Sequence, residues 1–193
     1  MSKVLLLSSG LKHTQEFTDP FLRRLEVYLS SYLDCVDVRN ILTFDERTFF
    51  EYDKVVFLFM TAMDCIPSST LEIFQKLEKQ NVNKVDIYAL IACDEYETEK
   101  CDVSEKILQK WCEKKDYRFK GSLKIGSTLI IMKSTSKYIV SNYIKKFAQA
   151  IMNNQEAHLR VTVLTEKRFL KRANKYWYKQ VKKTKKEKAK DEK

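Results

Sequence analysis

An unbroken apolar run, Val4-Leu5-Leu6-Leu7, stops abruptly in a small polar loop, Ser8-Ser9-Gly10-Leu11-Lys12-His13-Thr14. The same pattern returns in Val55-Val56-Phe57-Leu58-Phe59-Met60 and in Val85-Asp86-Ile87-Tyr88-Ala89-Leu90-Ile91-Ala92. A strand without polar alternation has no face to give to water, so it must be covered on both sides, the condition of a central strand in a parallel α/β sheet. Between the runs, apolar residues recur at helical spacing, as in Phe21, Leu22, Leu25, Leu29 and again in Ile139, Tyr143, Ile144, Phe147, Ile151. Strands alternating with helices predict right-handed βαβ crossovers and a sheet sandwiched between helical layers.

The spacing predicts a first helix with Asp19 as its N-cap and Pro20 in its first turn, where a missing N–H costs nothing. Cys35-Val36-Asp37-Val38 is a short candidate strand, and residues 103–114 and 138–152 are expected to be helical. Residues 117–132 look β-like around Gly121 and Gly126. At 193 residues the chain suits one well-buried domain, and three Gly and two Pro leave little room for long irregular linkers. The expected organisation is a domain over residues 1–165, an amphipathic basic helix over 166–181, and a disordered Lys-rich tail over 182–193.

Charge follows the same division. From residue 166 onward there are 13 Lys/Arg against 4 Asp/Glu, so +9 of the net +10 belongs to the C-terminal segment. A globular nucleic-acid binder would carry a basic face of its own, and no specific nucleic-acid partner is expected. Five cysteines without a C-x-x-C pair suit reduced thiols, and with only two histidines a zinc site has little support. No apolar run is of membrane-spanning length and the N-terminus enters a strand at once, so a cytoplasmic protein with no metal is expected.

A strand that ends in a hydroxyl-rich loop before a helix aims backbone N–H groups and the positive end of the helix dipole at one point. Ser8, Ser9 and Thr14 add hydroxyls, Gly10 allows close approach, and Lys12 and His13 add positive or polar groups. Two readings fit, a phosphate cradle and an ordinary βα turn. Neither the Walker pattern nor G-x-G-x-x-G is present. Two further loops, residues 61–69 and 93–99, leave strands on the same edge of the sheet.

On these loops the chain resembles the flavodoxin-like NADPH-dependent FMN reductase family over nearly its whole length. Ser8-Ser9-Gly10-Leu11-Lys12-His13-Thr14 is similar to the family's phosphate loop. Met60-Thr61-Ala62-Met63-Asp64-Cys65-Ile66-Pro67-Ser68 resembles its P-L-Y-V-x-G-I-P-S stretch, Tyr96-Glu97 its G-F-Y-E, and Gly121-Ser122-Leu123-Lys124-Ile125-Gly126 its G-G-L-G-I-G run. The resemblance implies a flavodoxin-like three-layer α/β/α sandwich, with a parallel five-stranded sheet of order 2-1-3-4-5 and an extra C-terminal helix. It implies FMN as cofactor, NAD(P)H as transient reductant and a quinone- or flavin-type acceptor. Ser8, Ser9, Gly10, Lys12, His13 and Thr14 would hold the phosphate; Met63, Asp64 and Cys65 would border the ring, with Tyr96 stacking on or edging it. No catalytic acid–base pair is assigned, because the flavin carries the redox chemistry.

The departures fall on the ligand side. Cys65 and Asp94 stand where the family has glycine, and Ala62 where it has tyrosine. Asp94 and Glu95 put negative charge where it would disfavour a reduced flavin. The alternative is therefore a cofactor-less flavodoxin-like interaction module. A receiver-type domain would need acidic residues where Ser8 and Ser9 stand. The plainer reading, placed first, makes Tyr96 a surface aromatic over a helix end and Cys65 and Cys93 small buried residues; for Asp64 the plainer reading is a cap for the next helix. For the basic C-terminal helix, docking on the domain or a homodimer contact comes first, with membrane contact as a minor reading.

Overall fold

The computed structural model describes residues 2–9, 12–61, 63–80, 84–132 and 137–191. All six strands lie in one parallel sheet: β1 (Val4–Ser8), β2 (Val36–Asn40), β3 (Lys54–Met60), β4 (Asp86–Ala92), β5 (Arg118–Ile125) and β6 (Ala157–Val161), in the order β2-β1-β3-β4-β5-β6. The helices are α1 (Lys12–Ser30), α2 (Ser68–Glu78), α3 (Asp102–Lys114), α4 (Thr128–Met132), α5 (Lys137–Met152) and α6 (Glu166–Asp191).

Strand parity explains the layers. Leu5, Leu7, Val55, Phe57, Phe59, Ile87, Ala89 and Ile91 face one side, where Ile73, Phe74 and Leu77 of α2 and Leu108, Trp111 and Cys112 of α3 close over them. Val4, Leu6, Val56, Leu58, Tyr88, Leu90, Leu123 and Ile125 face the other, beneath Phe21, Leu22, Leu25 and Leu29 of α1 and Val140, Ile144, Phe147 and Ile151 of α5. Each fully buried Val, Leu, Ile or Phe among them contributes roughly 1.5–3 kcal/mol. The β2–β3 connection carries a 3-10 turn, Glu46–Glu51, and its Phe44, Phe49 and Tyr52 plug the face covered by α2 and α3.

Two buried lysines are paired across the layers. Lys54, 6% exposed at the start of β3, donates from Nζ to the carbonyl of Ile151 at 2.6 Å and so closes the C-terminal end of α5. Burial pushes its ammonium below the ordinary lysine range, against the upward pull of Asp86 and Asp53. Lys124 of β5, 3% exposed, reaches Asp102 Oδ1 at 2.6 Å and also pairs with Glu105, and Ser122 Oγ donates to Glu105 at 2.5 Å.

Four expectations need correction. The first helix begins at Lys12, so Asp19 is not its N-cap and Pro20 lies inside it; the pattern before Pro20 is short and polar, which hides those turns. The sheet has a sixth strand, β6, beyond the five expected. Residues 128–132 are helical and not β: after β5 the chain turns at Ser127, whose φ is 59°, and the amides of Ile130 and Ile131 bond back to the Ser127 carbonyl. Finally, α6 runs to Asp191 and does not stop at 181.

β6 approaches β5 closely at Gly121. With φ at +123°, this glycine sits at a register shift in the β4–β5 pairing, and a Cβ there would stand 2.1 Å from the carbonyl oxygen of Ala157.

Candidate functional site

Strand order reverses between β1 and β3. From β1 the chain crosses by α1 to β2 on one side, and from β3 by α2 to β4 on the other, with α1 and α2 on opposite faces of the sheet. The carboxyl ends of β1 and β3 are therefore the switch point of the sheet, the place where open α/β sheets take ligands.

At the first corner, Ser8 and Ser9 are 5% and 1% exposed. The Ser9 amide bonds to the Leu58 carbonyl at 2.9 Å, and the Ser8 carbonyl accepts from the Ile41 amide at 2.8 Å. Ser8 and Ser9 thus extend the sheet, and the Ser9 amide is already engaged there. What remains is the Ser9 hydroxyl, buried and without a hydrogen-bond partner among the described residues, just before the N-terminus of the 19-residue α1. An orphaned buried hydroxyl costs about 1–3 kcal/mol, and one beside a helix N-terminus is placed to be satisfied by an anion. Gly10 lies outside the described residues. The backbones of Lys12, His13 and Thr14 form the first turn of α1, and their side chains lie outside the description.

The second corner is the loop after β3. Met63 and Asp64 both adopt left-handed backbone, φ 50° and 63°. Such geometry in non-glycine residues costs of order 1–3 kcal/mol each and persists where neighbours enforce it. Here Asp64 Oδ2 accepts from Lys100 Nζ at 3.0 Å, and its carbonyl from Ser104 Oγ at 3.4 Å. Hydrogen bonding to Asp64 raises the Lys100 ammonium above its ordinary range. The left-handed residues of this loop, Met63 and Asp64, immediately precede Cys65. Met63 is left 99% exposed at the rim. Cys65 is exposed, not buried, and α2 starts behind Pro67 without a side-chain cap, so Asp64 does not cap it. Ala62 lies outside the described residues.

The third corner is the loop after β4. Its backbone is tied to the next turn: the Ser127 amide donates to the Glu95 carbonyl at 2.6 Å, the Thr128 amide to the Cys93 carbonyl at 3.0 Å, and Thr162 Oγ1 to the Tyr96 carbonyl at 3.3 Å. Gly126 sits beneath, where a Cβ would come within 2.9 Å of that Tyr96 carbonyl. The Tyr96 ring packs against Phe169 of α6, centroids 5.7 Å apart. Cys93 is buried, and its thiol is pushed up by hydrogen bonding to Cys101 and by burial, which removes it as a thiolate nucleophile. Asp94, Glu95, Glu97 and Glu99 follow it in the chain, against Lys100 on Asp64 and Arg160 on Glu99, so this segment is acidic on balance.

Among the described residues, the predicted ones stand at the carboxyl ends of three strands: Ser8, Ser9 and the first turn of α1 after β1, Met63, Asp64 and Cys65 after β3, and Tyr96 after β4. Sequence reasoning missed Ser69 and Thr70 in the first turn of α2, whose buried hydroxyls have no partner among the described residues; the Ser68-Ser69-Thr70 run at a helix start was the available signal. It also missed Lys100 and Phe169, which fix Asp64 and Tyr96 from segments distant in sequence. Among the described residues, no helix is long and apolar enough to cross a membrane.

No protein-family model and no curated protein matches the chain. Solved structures do. Flavodoxin 1 from Bacillus cereus is similar with a TM-score of 0.61 at 14% identity, over 79% of this chain and 98% of that one. An azoreductase from Bacillus anthracis str. Sterne gives 0.60 at 13% identity, over 77% and 99%. A Fusobacterium nucleatum flavodoxin bound to flavin mononucleotide gives 0.60 at 11%, over 80% and 99%. The chain has the flavodoxin-like fold.

Proposed function

We propose that this protein holds FMN across the crest of its sheet and works as an FMN-dependent oxidoreductase, with NAD(P)H as transient reductant and a quinone- or flavin-type acceptor. The observation that carries the reading is the buried, unpartnered Ser9 hydroxyl beside the α1 N-terminus at the point where strand order reverses. That corner offers a phosphoryl group a donor, the helix dipole and the first-turn amides together. The fold shared with a flavodoxin bound to flavin mononucleotide supports the same assignment.

The residues present fit such a group. Ser9 and the first turn of α1 would hold the phosphate. Met63, held at the rim by the left-handed turn, would cover an apolar ring edge, and the loop carrying Tyr96 would border it from the other side. Once bound, the flavin supplies the redox chemistry. The chain's own contribution is position and field: the carboxylates at 94, 95, 97 and 99 disfavour added negative charge near the ring, and Lys100, engaged by Asp64, and Arg160, paired with Glu99, offset part of it.

A second reading, the cofactor-less interaction module, draws on the same rim: Asp64 is bridged to Lys100 and Tyr96 is packed on Phe169, contacts that already occupy two ring-side residues. An absorption spectrum of freshly purified protein and quenching of flavin fluorescence on titration separate the two. Saturable quenching at micromolar FMN, followed by bleaching of the bound flavin when NADPH is added anaerobically, is the expected result. Quenching without bleaching would remove NADPH as reductant, and absence of quenching would leave the second reading.

A further inference from the structure

α6 carries a pattern that a crest-bound flavin does not use. At about 100° per residue, Phe169, Ala173, Tyr176 and Gln180 form one strip, and all four are half-buried. Through this strip the helix meets the body, with Phe169 on Tyr96 and further contact to α4. The next strip round is Leu170, Trp177 and Val181, which are 51%, 59% and 54% exposed. Beyond it, on the side turned from the body, come Lys167, Lys171, Lys175 and Lys182, all exposed. Tyr178, 63% exposed, stands among them with Lys182 Nζ 4.7 Å over its ring.

A helix this basic that still exposes a leucine, a valine and a tryptophan in line satisfies two demands at once. The apolar strip asks to leave water, worth roughly 25 cal/mol per Å² buried, while the flanking charge asks for anions. We propose that α6 lies in the headgroup region of an anionic lipid surface, Leu170, Trp177 and Val181 entering the acyl boundary and the lysines meeting lipid phosphates. A nucleic acid would satisfy the charge but has no place for Leu170 and Val181. A second copy would satisfy the strip but would bring together two segments of +9 each. Because Phe169 rests on Tyr96, a bilayer under α6 would run beside the loop after β4, at the acidic end of the crest.

The test uses the full chain and flotation with vesicles of phosphatidylglycerol and phosphatidylcholine in equal parts, against phosphatidylcholine alone. Binding to the anionic vesicles only is expected, weakened by salt, with Trp177 emission moving to shorter wavelength while the buried Trp111 stays unchanged. The Lys171→Gln/Lys175→Gln pair should lose roughly 25-fold in partitioning, about fivefold per charge. Leu170→Ser/Trp177→Ser alters exposed positions, should fold as the parent by circular dichroism, and should abolish flotation. Three results would overturn the proposal: vesicle binding indifferent to Leu170→Ser/Trp177→Ser, a duplex RNA or DNA probe bound while vesicles are not, or a dimer in sedimentation that the same variant dissociates while vesicles go unbound.

Discussion

Tyr96 and Phe169 meet with ring centroids 5.7 Å apart and planes inclined by 43°, which joins the C-terminal helix to the loop that follows the fourth strand. An aromatic pair of this kind is worth about 0.5–1.5 kcal/mol beyond its buried area. Phe169→Ala, which also gives up buried apolar area, should therefore lower stability by at least about that much, and its effect should be local. Amide hydrogen exchange in residues 94–98 is expected to speed up while α2 and α3 exchange as before. Unchanged exchange in the loop would show that Thr162 and Ser127 hold it without the ring contact.

The charge cluster under α3 predicts a stability change with a defined sign in pH. Burial alone would raise Asp102 and Glu105, but the Lys124 ammonium, with Arg160 on Asp102 and Ser122 on Glu105, overrules it and holds them below their ordinary 3.8 and 4.5. Their contribution is thus complete above pH 4.5 and is lost as pH falls through the depressed folded values. Lys124→Met should cost about 3–5 kcal/mol by leaving Glu105 buried without its cation. The sign then reverses: burial, no longer opposed by the ammonium, raises Glu105, and the variant's Tm should climb on acidification from about pH 7 to pH 5. A variant Tm that falls over that range would contradict the assignment.

Gly121→Ala tests the sixth strand. The new Cβ would meet the Ala157 carbonyl at 2.1 Å from a backbone at φ +123°. Strain and lost β5–β6 pairing together should cost more than about 3 kcal/mol. A denaturant midpoint close to wild type would mean that β6 can move off without consequence.

Much of the fold was legible because physics leaves little choice for runs such as Val55 to Met60: strands buried on both faces need helices on both faces, and the alternation supplied them. The β6 strand escaped because an edge strand needs only one neighbour; in Ala157-His158-Leu159-Arg160-Val161 only the two ends are buried, and His158 and Arg160 stand in water. Thr128-Leu129-Ile130-Ile131-Met132 has strand composition, yet the turn at Ser127 starts a helix. Pro20 looked like a helix start because nothing in the sequence shows that the turn before it is already formed.

The site was half legible. Ser8 and Ser9 could be placed at the carboxyl end of β1 from local pattern, but not that the sheet would take the Ser9 amide and leave its hydroxyl. Asp64 looked like a cap for the helix next to it, whereas its partners Lys100 and Ser104 come from beyond the fourth strand. Contacts of that range depend on how loops settle after the sheet has formed.

The most direct measurement of the central claim compares FMN with riboflavin, which lacks the phosphate, on wild type and Ser9→Ala by fluorescence titration. If the Ser9 hydroxyl meets the phosphate, the variant should lose about 1.5–3 kcal/mol for FMN, a tenfold or greater rise in Kd, and nothing for riboflavin. The unliganded variant should be as stable as wild type or more so, since a buried hydroxyl without a partner is gone. Equal losses for both ligands, or none for either, would contradict a phosphate site at the end of the first strand.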